Sequence, residues 1–149
     1  MKSVKVVDGI SKWADQALKR SESNGIRAWL NRYAYPEILK VQLKRWQTEG
    51  SSEGERWESL NPDYAKSKLK RFGTYPGGGR KMLIATGRLY QSMTGRSSEG
   101  RKLVENTKLT LASTVPYGGY VDDKRDITTL SDSTVERFAE ELLKYLVGA

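Results

Sequence analysis

The chain has 149 residues, 37% hydrophobic and 30% charged, with no cysteine and no histidine. It therefore lacks thiolate nucleophiles, disulfides, the commonest general base near neutral pH and the usual zinc ligands, so Ser-His-Asp hydrolysis and zinc chemistry lose their parts. A formal charge of +8 and a pI of about 9.7 point to acidic or polyanionic partners and say nothing about fold.

Residues 2–7 read as a short strand, Asp8 as a helix N-cap, and Ile10, Trp13 and Ala17 as the apolar positions of a helix over 9–21. A break follows, and Gly25 is a plausible helix stop. From 26 to 48, Ile26, Leu30 and Tyr33 mark one helical face and Leu39, Leu43 and Trp46 another. The slip falls at Pro36, which predicts a kink or two helices in succession. Residues 49–63 are polar and glycine-rich, a long loop with Trp57 as a buried anchor and Leu60 three places on. Asn61-Pro62-Asp63 then starts a lysine-rich helix, with Pro62 suited to a first-turn position.

The stretch 74–89, TYPGGGRKMLIATGRL, looks first like a phosphate cradle. A phosphate loop needs G-x-x-x-x-G-K-[ST] between a strand and a helix. Gly73 and Gly78 have the spacing, but Gly79 stands where the lysine belongs, Met82 follows Lys81, and no buried strand precedes the run. The segment reads instead as a mobile loop with two cations, followed by an apolar plug (82–84). Thr86 would cap a short helix through Ser92. Two short strands, 102–105 and 108–114, form a hairpin about Asn106-Thr107. A turn-rich piece at 116–121 and a charged, exposed run at 122–126 come next. The last helix has Ser131 as N-cap, or Ser133 and Glu136 as a capping box, with Val135, Phe138, Leu142 and Leu146 on one face. Together these predict one α+β domain over 1–149. N-terminal helices and a C-terminal helix pack on a small, mostly antiparallel sheet, with extended loops at 49–63 and 72–82. No apolar run is long enough for a membrane span or a signal peptide, so the chain is expected to work without export and without a membrane partner.

Charge is concentrated. Lys66, Lys68, Lys70, Arg71, Arg80, Lys81 and Arg88 fall between 66 and 88 with no acidic residue among them, whereas 101–149 holds seven basic and eight acidic residues. The seven cations are the candidate contacts for a partner protein or DNA.

In order along the chain come Gly54-x-x-Trp57-x-x-Leu60, a helix bearing Lys68, Leu83-x-x-Thr86-Gly87-x-Leu89-x-x-Ser92, a hairpin, and Val115-Pro116-Tyr117. This series, over roughly 26–121, resembles the tailed-phage virion morphogenesis family, the tail completion and neck proteins of the head–tail junction. The resemblance implies a structural role for Gly54, Trp57, Leu60, Lys68, Leu83, Thr86, Gly87, Leu89, Ser92 and Tyr117. It also implies an α+β subunit of a sixfold or twelvefold homo-oligomeric ring between head and tail. Adjoining neck, adaptor, tail-tube or terminator proteins would be its partners, and DNA would pass through the lumen. No catalysis, cofactor or metal is expected. On that reading the cationic loop docks an acidic face of the next ring, or meets DNA in a sequence-blind way. The alternative is a small basic nucleic-acid-binding protein, with its Trp and Tyr rings stacking on bases. A carboxylate hydrolase using Glu53, Glu55 and Glu58 is a third reading, set against the poor pre-organisation of a flexible loop.

Overall fold

A computed structural model of the chain describes residues 15–74, 82–105 and 107–148. The predicted strand at 2–7, the Asp8 cap, Trp13, Arg80, Lys81 and the turn residue Asn106 lie outside these. The fold is α+β: helices with a two-stranded antiparallel hairpin. Its contacts separate into two compact units, one made of the chain up to Pro36 with Val104–Leu109 and Asp132 onward, the other of Glu37–Leu103 and Thr110–Ser131.

In the first unit, helix at 15–21 is followed after one bend by α1 (Ser23–Trp29). Gly25 therefore lies inside a helix rather than ending one. A Cβ there would sit 2.4 Å from the Arg20 carbonyl oxygen, so the close approach of the preceding turn requires glycine. The helical run does not break before Pro36. It widens instead into a π-helical turn (Leu30–Ala34), with the Tyr35 amide bonded to the Leu30 carbonyl, before α2 (Tyr35–Gln47) resumes. Pro36 donates nothing and its ring crowds the carbonyl four residues back, and an expanded turn accommodates both effects without a break. Trp29, Leu30 and Ala34 are buried against Val104 and Leu109 at the hairpin tip and Phe138 and Leu142 of α6 (Asp132–Val147). Trp29 stacks on Tyr33 (5.4 Å), and Tyr33 meets Phe138 edge-on (6.4 Å). The inner face of α6 carries Thr134, Phe138, Leu142 and Tyr145. Val135, which the sequence places on the apolar face, is exposed, as is Leu143.

The second unit is built on Trp46, only 1% exposed at the end of α2. Trp57 and Tyr90 stand edge-on to it at 5.2 and 5.8 Å. Met82, Ile84, Leu89, Met93, Val115 and Ile127 complete the cluster. Trp57 is the buried anchor of the long 48–61 loop, as its isolation among polar residues predicts. Its indole Nε1 donates to the Asp126 carbonyl at 2.9 Å. Gly50 makes this seat possible. Its φ is +91°, and a Cβ would fall 2.7 Å from the Trp57 ring. The remaining elements of the second unit are α3 (Pro62–Phe72), α4 (Arg88–Met93), the stems of β1 (Gly100–Val104) and β2 (Leu109–Ser113), and α5 (Gly118–Lys124). The sequence reading of 116–121 as turn is corrected at α5, while Asp123, Lys124 and Asp126 of the charged run are exposed as expected. Two glycines at its start hide a helix whose positions 117, 120, 121 and 124 recur at helical spacing. No helix among the described residues is long and apolar enough to cross a membrane.

Candidate functional site

Asn61 starts α3 as read from the sequence, its Oδ1 accepting from the amides of Asp63 (2.9 Å) and Tyr64 (3.4 Å), with Pro62 in the first turn. That start fixes the rotation of the helix. Tyr64 and Lys68, four residues apart, then share one side with Arg71 a turn on, while Lys66 and Lys70 are exposed elsewhere on the helix. Facing the same space, α5 presents Tyr117, Tyr120, Val121 and Lys124. Between them Leu60, Leu83 and Leu89 form an aliphatic floor. The enclosed cavity measures about 420 Å³. Leu83 adopts φ +59°, a conformation uncommon for a non-glycine side chain. Strain of this kind collects at functional positions.

Electrostatically the cavity is positive. Lys68, Lys124 and Arg125 line it, and no carboxylate does among the described residues. Lys68 is 4% exposed. Burial lowers its pKa from the ordinary 10.5, Arg125 lowers it further, and Glu49 pulls the other way. Arg125 Nε donates to the Glu58 carbonyl (3.1 Å), and Lys124 Nζ stands 5.8 Å from the Tyr120 ring centroid. Tyr64, Tyr117 and Tyr120 form an exposed aromatic mouth.

A second polar cluster holds the neighbouring backbone. Arg45 is 1% exposed and donates to the Thr129 carbonyl. Burial lowers its pKa, opposed by the charges of Asp126, Glu53 and Asp122. Asp126 Oδ1 accepts from the amides of Thr128 (3.0 Å) and Thr129 (2.8 Å), and Asp122 Oδ1 from that of Ile127 (2.9 Å). Glu53 Oε2 accepts from the amide and hydroxyl of Ser131 at 2.9 and 3.0 Å. Glu53 is thus engaged in pinning the 125–131 loop, while Glu55 and Glu58 are exposed. Among the described residues no group of three or more acidic, His or Cys side chains is placed to hold a metal.

The five sequence-selected cations among the described residues (Lys66, Lys68, Lys70, Arg71 and Arg88) do not form one surface. Lys66, Lys70 and Arg71 are exposed, the last with its guanidinium over the Phe72 ring at 5.2 Å. Lys68 is buried, and two residues to either side Lys66 and Lys70 point away from it. Arg88 is exposed but forks onto the Glu99 carboxylate, its Nε 2.9 and 2.8 Å from the two oxygens. That pairing raises the Arg88 pKa and lowers that of Glu99. The expectation of an open cationic stretch from 66 to 88 is corrected at these two positions.

The motif residues, by contrast, converge. Leu60, Lys68, Leu83, Leu89 and Tyr117 all line the cavity, and Trp57 is buried in the core next to it. Thr86 Oγ1 accepts from the Arg88 amide (3.4 Å), and Gly87, in the left-handed region at φ +86°, caps α4. The cap thus falls one residue later than the sequence suggests. Ser92 is buried, donates to the Leu89 carbonyl (2.8 Å) and lies 2.6 Å from the Ser113 hydroxyl. Gly54 has open space where a Cβ would go, so nothing in the chain requires glycine there. The glycine the loop requires is Gly50. Tyr120, Lys124, Arg125 and Arg45 escaped the sequence reading. The first two carried a signal, the helical spacing from 117 to 124. Arg45 carried none, because an arginine beside a core tryptophan reads as a solvated helix residue. The chain matches no family model, and no curated protein or solved structure is significantly similar to it.

Proposed function

We propose that the chain is a structural subunit of a tailed-phage head–tail junction, a tail completion, terminator or neck protein that joins the tail to the DNA-filled head. One observation carries this reading. Motif residues scattered from 57 to 117 gather round a single cavity and the core beside it. Apolar residues of any compact unit meet in its core, so the support comes from Lys68 and Tyr117, polar motif positions that converge with them on the cavity. The exposed apolar side chains Val135 and Leu143 of α6 supply further support, since a cyclic ring repeats one heterologous interface until it closes. On this reading the protein resides in the virion at the junction, and in the host cytoplasm before assembly. Adjoining neck, adaptor or tail proteins are its partners, and the exposed Lys66, Lys70 and Arg71 face an acidic neighbour or the passing DNA.

The test is compositional. Purified virions, resolved by mass spectrometry and by imaging of the neck with an antibody against the chain, are expected to contain it at the junction in ring stoichiometry. Infectious particles with joined heads and tails but without the chain would end the proposal. A salt series of DNA binding separates the nucleic-acid alternative, which requires submicromolar affinity at physiological ionic strength.

A further inference from the structure

The geometry of the second unit points to a second property, independent of the virion reading. We infer that the cavity between α3 and α5 is a docking pocket for an extended acidic segment of a partner protein. One aliphatic or aromatic side chain of that segment sits on the floor of Leu60, Leu83 and Leu89, and flanking carboxylates meet Lys124 and Arg125.

Size, lining and charge each bear on the occupant. A volume of about 420 Å³ lies in the range of pockets that enclose a ligand, roughly 300–1,000 Å³, and takes a large side chain with some of its backbone. The floor is aliphatic, so transfer of an apolar group onto it is favourable. The mouth is aromatic: Tyr64 is 55% exposed, Tyr117 43% and Tyr120 68%. Tyrosines in such number around a concavity are the composition of a binding hot spot rather than of ordinary surface. Lys124 and Arg125 stand at the accessible part of the lining, which holds no carboxylate among the described residues, and they select a negative partner.

The same features disfavour nucleic acid. The rings at the site stand at its mouth, and the floor that a base would have to reach is branched and aliphatic, with no ring to stack on. An apolar side chain between carboxylates satisfies both parts of the site.

The test uses the isotope-labelled full chain, followed by amide NMR. Three degenerate pools of short peptides share a central Leu or Phe, flanked by Asp and Glu, by Lys and Arg, or by Ser and Gly. Oligodeoxythymidylate is the fourth probe. The acidic pool is expected to shift amides of 60–68, 83–89 and 117–125. Lys124→Glu and Tyr120→Ala, both at exposed positions, should each weaken that binding about tenfold, ~1.4 kcal/mol, with unchanged circular dichroism. The proposal is overturned if the acidic pool leaves those amides unmoved or if the other pools move them equally. It is equally overturned if the oligonucleotide occupies the pocket, or if the two variants bind the acidic pool as the parent does. Virion composition decides the junction reading separately, so either proposal can fail alone.

Discussion

Replacement of Trp57 by alanine measures how far the 48–61 loop depends on its one anchor. The indole is 6% exposed, packs edge-on against Trp46 at 5.2 Å and donates to the Asp126 carbonyl at 2.9 Å. Emptying such a site costs about 3–5 kcal/mol in lost transfer energy and residual cavity. The ring pairing accounts for about 0.5–1.5 kcal/mol of that, and the unpaired carbonyl for about 1 kcal/mol more. Against a net stability of roughly 5–15 kcal/mol for a domain, Trp57→Ala should lose a third or more. Trp57→Phe keeps most of the volume and loses the donor, so it should cost only about 1–2 kcal/mol. Urea unfolding followed by far-ultraviolet circular dichroism gives both values, because the deleted fluorophore does not enter the signal. Hydrogen exchange at 126–131 should quicken in Trp57→Ala. A cost below about 1 kcal/mol for alanine, or equal costs for alanine and phenylalanine, would refute the packing argument.

The two loop glycines should behave oppositely. Gly50→Ala meets both the left-handed φ and the Trp57 ring and should cost at least about 1–2 kcal/mol, while Gly54→Ala should fall within about 0.5 kcal/mol of the parent, read as thermal midpoints. Arg45→Ala leaves the Thr129 carbonyl and the carboxylates around it unanswered and should destabilise by about 3–5 kcal/mol, with faster exchange at 127–131. Lys68 gives a pH dependence. Its folded pKa lies below the unfolded 10.5, so between the two the unfolded chain binds more protons and stability rises with pH. The difference between parent and Lys68→Met unfolding energies should therefore shift in the parent's favour as pH climbs toward 10.5. A pH-independent difference would contradict the burial of that amine.

Residues with local physical signatures were legible in the sequence. Asn61-Pro62 and Ser131 set helix starts, the alternation around Leu109 and Leu111 gave a strand, and Trp57 stood out as an apolar side chain alone in a polar loop. Legibility failed where tertiary contact overrides local preference. Gly25 sits inside a helix, where the close Arg20 carbonyl leaves no room for a Cβ. Gly118 and Gly119 open a helix although both favour turns. Val135 lies on the outer side of α6 although it continues the apolar stripe. The candidate site was half visible. Its floor and Lys68 lay in the quoted motifs, but which side of α3 is buried cannot be read from a helix with cations at 66, 68, 70 and 71. Nor can pairing across eleven residues, Arg88 with Glu99, be read from a count of charges.

The first unit joins Trp29, near the start of the chain, to Phe138 and Leu142, near its end, whereas the second closes once Ser131 is made. At a ribosomal pace of about 5–20 residues per second, the Trp29–Leu30 surface therefore waits on the order of 5–20 seconds for its covering helix to emerge. During that wait the nascent protein carries a finished second unit and an uncovered apolar helix surface upstream of it, the interval in which a chaperone or a sister polysome chain has its best opportunity to engage it.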